Sequence, residues 1–215
     1  GEPALTRPDS VSWRVFKNPV ALYIGGIAAV LLELAEPRVR SGIWDHTTFR
    51  VDPLARMKRT GLAAMVTVYG ARSVAEPMIQ GITRMHARVR GETPDGRSYS
   101  ALEPELMNWV QATASYGFLQ AYHRFVTPLS AADRGRFYAE SRTGARLYGA
   151  PGAPIDEAQQ QALFEAMLPQ LEASSIVLEF LGIMQHTRAL PWLLQPLQPL
   201  FLRAAVSLLP APVLD

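Results

Sequence analysis

Asn18-Pro19-Val20-Ala21-Leu22-Tyr23-Ile24-Gly25-Gly26-Ile27-Ala28-Ala29-Val30-Leu31-Leu32-Glu33-Leu34 is the stretch whose reading decides the fold. Asn18 offers a capping side chain and Pro19 suits the first helical position, so a helix begins here. From Val20 to Leu34 the residues are apolar on every side, the pattern of a helix surrounded by protein. The run is too short to span a bilayer and ends in Glu33 and Glu36, so it reads as a buried core helix. Such a helix needs other helices around it, and the flanking sequence supplies them.

Asp52-Pro53 repeats the start signal and opens a helix through about Tyr69. A further helix is predicted from about Val74 to Arg90, with Gly91 as its stop. Thr93-Pro94-Asp95-Gly96-Arg97 is a turn, and with Tyr99 on its far flank it predicts a small hairpin. Pro104 opens a long helix that carries Trp109 and reaches about Phe125. Ser130 with Asp133 reads as a capping box for a helix ending near Tyr148. After the Pro151-Gly152-Ala153-Pro154 loop, helices follow from about Asp156 to Ala173 and from about Ser174 to Thr187. The fold class expected is all-α, a single helical domain over 1–215 with one small β-hairpin. Its Pro-rich tail, 191–215, holds Pro191, Pro196, Pro199, Pro210 and Pro212, which rules out one straight membrane helix. That tail is expected to cap the core or to lie on a membrane surface or a partner.

Composition narrows the function classes. The chain has 215 residues, 48% of them apolar and 19% charged, which describes a globular protein. Net charge is +2, only Lys17 and Lys58 are lysines, and the arginines are scattered, so a nucleic-acid surface is not expected. With no cysteine there is no disulfide, zinc-thiolate site, thiol catalysis or thioether-linked or thiolate-ligated haem. Glu-x-x-His, His-Glu-x-x-His, the P-loop, Gly-x-Ser-x-Gly and the dinucleotide glycine pattern are all missing. No signal peptide is visible, although a chain opening at Gly-Glu is open to removal of a leader, and a cytoplasmic or peripheral-membrane location is the expectation.

Arg56, Arg59 and Thr60 stand at i, i+3 and i+4, and Ala63, Ala64 and Thr67 continue that face with small side chains. A flat ligand can approach such a face, and planar guanidiniums suit its carboxylates. The competing reading is a solvated basic helix start. His86 shares a face with Ile79, Ile82 and Val89, which makes it either an inward-facing ligand for iron or a structural histidine bonded to a carbonyl. His46, in Trp44-Asp45-His46, is a weaker candidate for a distal or supporting group. Asp45-His46 with Glu36 is a weak divalent-metal option. Glu33 and Glu36 follow an apolar run with no basic partner in the same turn. Buried and unpaired, either would have a raised pKa, the property of a base working near neutral pH. The alternative is a helix end emerging into water, with Arg38 or Arg40 as partner.

The order of several motifs carries a resemblance. They are Asn18-Pro19-Val20-Ala21-Leu22 through Gly25-Gly26, then Gly42-Ile43-Trp44-Asp45-His46-Thr47-Thr48-Phe49-Arg50, then Asp52-Pro53 to Arg56 with Arg59-Thr60. His86-Ala87-Arg88-Val89-Arg90-Gly91, Pro94-Asp95-Gly96-Arg97-Ser98-Tyr99 and Asn108-Trp109-Val110-Gln111-Ala112-Thr113 follow. The chain resembles the catalytic-domain family shared by the MpaB-type oxygenases and the latex clearing protein, or rubber oxygenase, over roughly residues 15 to 150 and more loosely to the tail. The resemblance implies a globin-related all-α fold, haem b as cofactor, His86 as its axial ligand, and Arg56 and Thr60 in the pocket or near the propionates. Arg59 stands where rubber oxygenases have Lys. Gly25-Gly26 and Ala63-Ala64 would let helices approach the macrocycle. A Glu serves rubber oxygenases as base, and Glu33 and Glu36 are the candidates here. The family often has His at Gln111, and Gln and His near Glu33 and Glu36. The function expected is a haem-b-dependent oxygenase or oxidase that uses dioxygen on an apolar small molecule or polymer. The other reading is a non-catalytic haem-binding or haem-free helical module.

Overall fold

A computed structural model of the chain describes residues 1–214, and helices account for most of it. They are α1 (Val11–Phe16), α2 (Pro19–Ala35), α3 (Pro37–His46), α4 (Pro53–Tyr69), α5 (Arg72–His86), α6 (Pro104–Phe125), α7 (Ala131–Leu147), α8 (Glu157–Met167), α9 (Ser175–His186), α10 (Gln198–Val206) and α11 (Ala211–Leu214). Strands β1 (Arg90–Glu92) and β2 (Ser98–Ser100) pair antiparallel, with Gly91 opposite Tyr99, and Gly96 takes a φ of +85° in the turn. The all-α class with one small hairpin holds.

A capping residue followed by proline starts three successive helices. Asn18 accepts from the Ala21 amide at 2.9 Å, and Asp52 from the Ala55 amide at 3.0 Å. Between them Glu36 accepts from the Val39 amide at 2.7 Å, so Glu36-Pro37 opens α3, a helix the sequence reading did not predict. The chain bends by 111° at this point. Glu36 is fully buried and holds Arg38 at 2.7 Å.

The centre of the molecule is α2 packed along α6. The backbones meet at Gly25 and Gly117, where a Cβ on Gly25 would lie 2.6 Å from the Gly117 carbonyl oxygen. Gly25 therefore serves a helix crossing, not the approach of a macrocycle as expected. Around this pair lies an apolar core that includes Ile24, Ile27, Leu31, Leu119 and Phe180, with α9 and α10 against α2. A second cluster around Trp109 and Phe164 closes the other side.

One predicted boundary moves, and the tail takes on structure. The helix expected to reach Arg90 ends at His86, because Arg90 is drawn into the hairpin opposite Ser100. The tail forms a 3₁₀ turn (Trp192–Leu197), then α10 and α11. Among the described residues no single helix is long and apolar enough to cross a membrane.

Candidate functional site

Helix α2 is buried nearly all round, and its partly accessible residues include one stripe: Leu22, Tyr23, Gly26, Val30 and Glu33. These recur at helical spacing, so they share a face. On α6, Gln111, Ala114 and Phe118 are likewise partly accessible; Phe118 lies against Gly26, and Thr113 reaches Glu33. Helix α4 packs chiefly on α1 and α5, and Val68 is its buried residue. A helix so lightly covered presents its small face, Ala63, Ala64 and Thr67, with all three residues half-buried.

Three charged or ionisable groups from three helices lie within electrostatic reach of one another on this side. Glu33 of α2 feels the positive charge of Arg56 on α4, and Arg56 in turn acts on His86 at the end of α5. Burial is the dominant influence on all three. It raises Glu33 to about 7, with Arg56 and Thr113 opposing. It lowers Arg56, with Glu33 opposing, and it lowers His86, with Arg56 adding to the effect. His86 is thus neutral at pH 7, the form in which an imidazole binds metal.

Hydrogen bonding leaves this group under-supplied. The Thr113 hydroxyl is 3.5 Å from Glu33 but 2.9 Å from the Val110 carbonyl on its own helix, and one proton serves the nearer acceptor. Glu33 is largely enclosed by protein yet keeps some accessible surface. His86 Nδ1 is buried with no partner, and so is the Tyr23 hydroxyl, whose pKa burial pushes up to about 12. Arg56 lies in no ion pair among the described residues; its guanidinium donates to the Thr60 hydroxyl, which donates back to the Arg56 carbonyl at 3.0 Å. Buried polar atoms are normally paired, and the unpaired Nδ1 of His86 is therefore free for a ligand; the Trp109 indole N–H and the Gln160 side-chain carbonyl oxygen, away from this side, are unpaired as well.

The structure brings Glu33, Arg56 and His86 together, with Thr60 attached to Arg56. Arg59 turns away to Thr48, at 2.9 Å, and is exposed. His46 is exposed at the end of α3, where its Nε2 meets the Tyr99 hydroxyl at 3.0 Å, so it braces the hairpin. Glu36 is occupied with the α3 cap and Arg38. Gly26 is half-buried beside Phe118, and Gln111 sits on the accessible face of α6. Sequence reasoning passed over Tyr23 and Thr113. The position of Tyr23 on the same helical stripe as Glu33 was the available signal.

A metal ion held by side chains alone needs several donors, and the described residues contain no converging group of three or more His, Cys, Asp or Glu. One buried neutral imidazole suits a metal that brings its own equatorial ligands, and haem is such a group. A cation for its carboxylates stands beside it in Arg56. The residues fit.

Known proteins resemble this chain in sequence. Two uncharacterized proteins, one of Mycobacterium bovis and one of Mycobacterium tuberculosis, are each 26% identical over 171 residues, covering 77% of this chain and 67% of their own. No solved structure matches the chain. The catalytic domain described as ER-bound oxygenase mpaB/B'/rubber oxygenase matches from residue 13 to residue 215, almost the whole chain, and the chain belongs to that oxygenase family.

Proposed function

We propose that this chain is a haem-b-dependent oxygenase that uses dioxygen on an apolar substrate, with His86 as the axial ligand. The observation that carries the reading is the grouping of Glu33, Arg56 and a buried, unpartnered His86 from three helices. Bound haem supplies activation of dioxygen at iron. The protein's own residues do the rest. His86, kept neutral by burial, offers a ring nitrogen lone pair. Arg56, steadied by Thr60, offers a guanidinium to a propionate, and Arg59 adds positive charge nearer the surface. Glu33, raised to about 7, is divided between its two protonation states near neutral pH, so a carboxylate oxygen can take a proton from a substrate carbon and release it again. The apolar stripe of Leu22, Tyr23 and Val30 beside it suits a hydrocarbon chain.

The as-purified protein should show a Soret band, and His86→Ala should lose most of the bound haem or shift that band sharply. Unchanged stoichiometry and spectrum in His86→Ala would assign the iron to another residue. Gln111, where the family often carries His, favours a second reading: a haem-binding module without turnover. A Soret band together with no dioxygen uptake in the presence of an unsaturated hydrocarbon such as squalene would select it.

A further inference from the structure

The outer face of the C-terminal third is apolar, cationic and uncovered. Trp192 is 79% exposed, Leu193 68%, Leu200 59% and Leu178 72%. Leu178, Leu181 and Gln185 form one stripe on α9, at i, i+3 and i+7, and Leu200 and Arg203 form one on α10, with Ser207 at its C-cap. Between these helices runs an open groove of about 440 Å³, lined by Leu181, Pro199, Leu202 and Val206 with Gln185 and Arg203 among its polar residues.

Its charge is one-sided. From Phe180 to Leu214 the sequence has no Asp or Glu. Arg188 and Arg203 are exposed and have no carboxylate partner among the described residues. Arg124 joins them through α6, its guanidinium donating to the Ser207 carbonyl at 2.8 Å, and among the described residues it pairs with no carboxylate. The nearest acid on α9, Glu179, is engaged by Arg50 at 3.2 Å.

We infer that this face docks on an anionic lipid bilayer, with Trp192, Leu193 and Leu200 entering the headgroup region and Arg124, Arg188 and Arg203 meeting lipid phosphates. An exposed Trp and leucines rimmed by uncompensated arginines form an interfacial surface, and anionic lipid supplies the missing negative charge. A second copy of the chain is a poor occupant, because it would set arginines against arginines. The inference does not depend on the haem reading.

The test is co-sedimentation of the whole chain with vesicles of phosphatidylcholine containing phosphatidylglycerol, against phosphatidylcholine alone. Binding to the anionic vesicles is expected, falling with added salt, together with a blue shift of tryptophan fluorescence. Trp192 is the main source of that shift, since Trp44 and Trp109 are only 8% and 0% exposed and Trp13 is half-buried, its indole N–H held by the Thr6 hydroxyl and the Val68 carbonyl. Trp192→Ser with Leu193→Ser should abolish the shift, and Arg203→Glu should weaken binding at least about fivefold. Both side-chain sets are exposed, so circular dichroism should stay unchanged. His86→Ala should bind vesicles like the unsubstituted chain, which separates this inference from the cofactor reading. Equal binding to neutral and anionic vesicles, binding that ignores these substitutions, or a dimer abolished by the same substitutions without vesicle binding overturns it.

Discussion

The α2–α6 pair and the α4–α5 pair are built on opposite terms. In the first, two glycines bring backbones into contact and the surrounding side chains close tightly. In the second, α4 buries Val68 alone, α5 buries Ala75 and Ile79, Arg56 is half-buried with Thr60 as its side-chain partner, and His86 Nδ1 is buried without one. A close-packed core is complete by itself, because apolar contacts and backbone hydrogen bonds satisfy one another. The other pair leaves polar groups half-buried, which a bound group would pair under the proposed function. Each half of that difference can be attacked separately.

The largest effect should come from closing the backbone contact. Gly25→Val places methyl groups where even a Cβ lies 2.6 Å from the Gly117 carbonyl. A loss of about 3 kcal/mol or more, or failure to fold, is expected in denaturant unfolding. A variant as stable as the parent would mean that the two helices are not in contact there.

Next is the ionisation of Glu33, measured on the cofactor-free chain. Its folded pKa of about 7 lies above the ordinary value of 4.5, so the fold prefers the protonated carboxyl. The stability it supports is fully present below about pH 4.5 and is lost as pH rises towards 7. Glu33→Gln mimics the protonated form and has no such slope. The variant should therefore gain on the parent across that window, by on the order of 2–3 kcal/mol at its upper end. His86, shifted the other way, contributes a slope below its own ordinary pKa that is common to both proteins and cancels in the difference. Parallel pH–stability curves would show that Glu33 is solvated.

Arg56→Ala should weaken haem retention by about 1.5–3 kcal/mol, the range for a charged hydrogen bond, whereas Arg142→Ala, at an exposed position on α7, should not. Equal retention, followed by haem transfer to an acceptor protein, would return Arg56 to the role of a helix-surface cation. The smallest effect marks the looseness of α4. Nothing lies within 4 Å of a Cβ added at Gly61, so Gly61→Ala should stabilise the chain by about 0.5–1 kcal/mol. A loss instead would mean that this face of α4 is more closely covered than its exposure indicates.

Local patterns in the sequence determined a good deal. Asn18-Pro19 and Asp52-Pro53 announce their helices because cap and proline act on adjacent backbone groups, and the apolar run from Val20 to Leu32 reads as a core helix. The turn at Pro94-Asp95-Gly96 is local for the same reason. Arg56 with Thr60 was legible too, since residues four apart on a helix are neighbours whatever lies around them. What the tertiary structure alone decided was which of several candidates share a space. Glu33 and Glu36 look alike in sequence, yet the chain bends between them, so one faces Arg56 while the other caps α3 and holds Arg38. His86 ends its helix because strand pairing, a long-range event, captures Arg90. Gly25 serves a crossing that exists only once Gly117 arrives from far along the chain. Periodicity reports which face of a helix is buried; what that face is buried against depends on residues the local pattern does not contain.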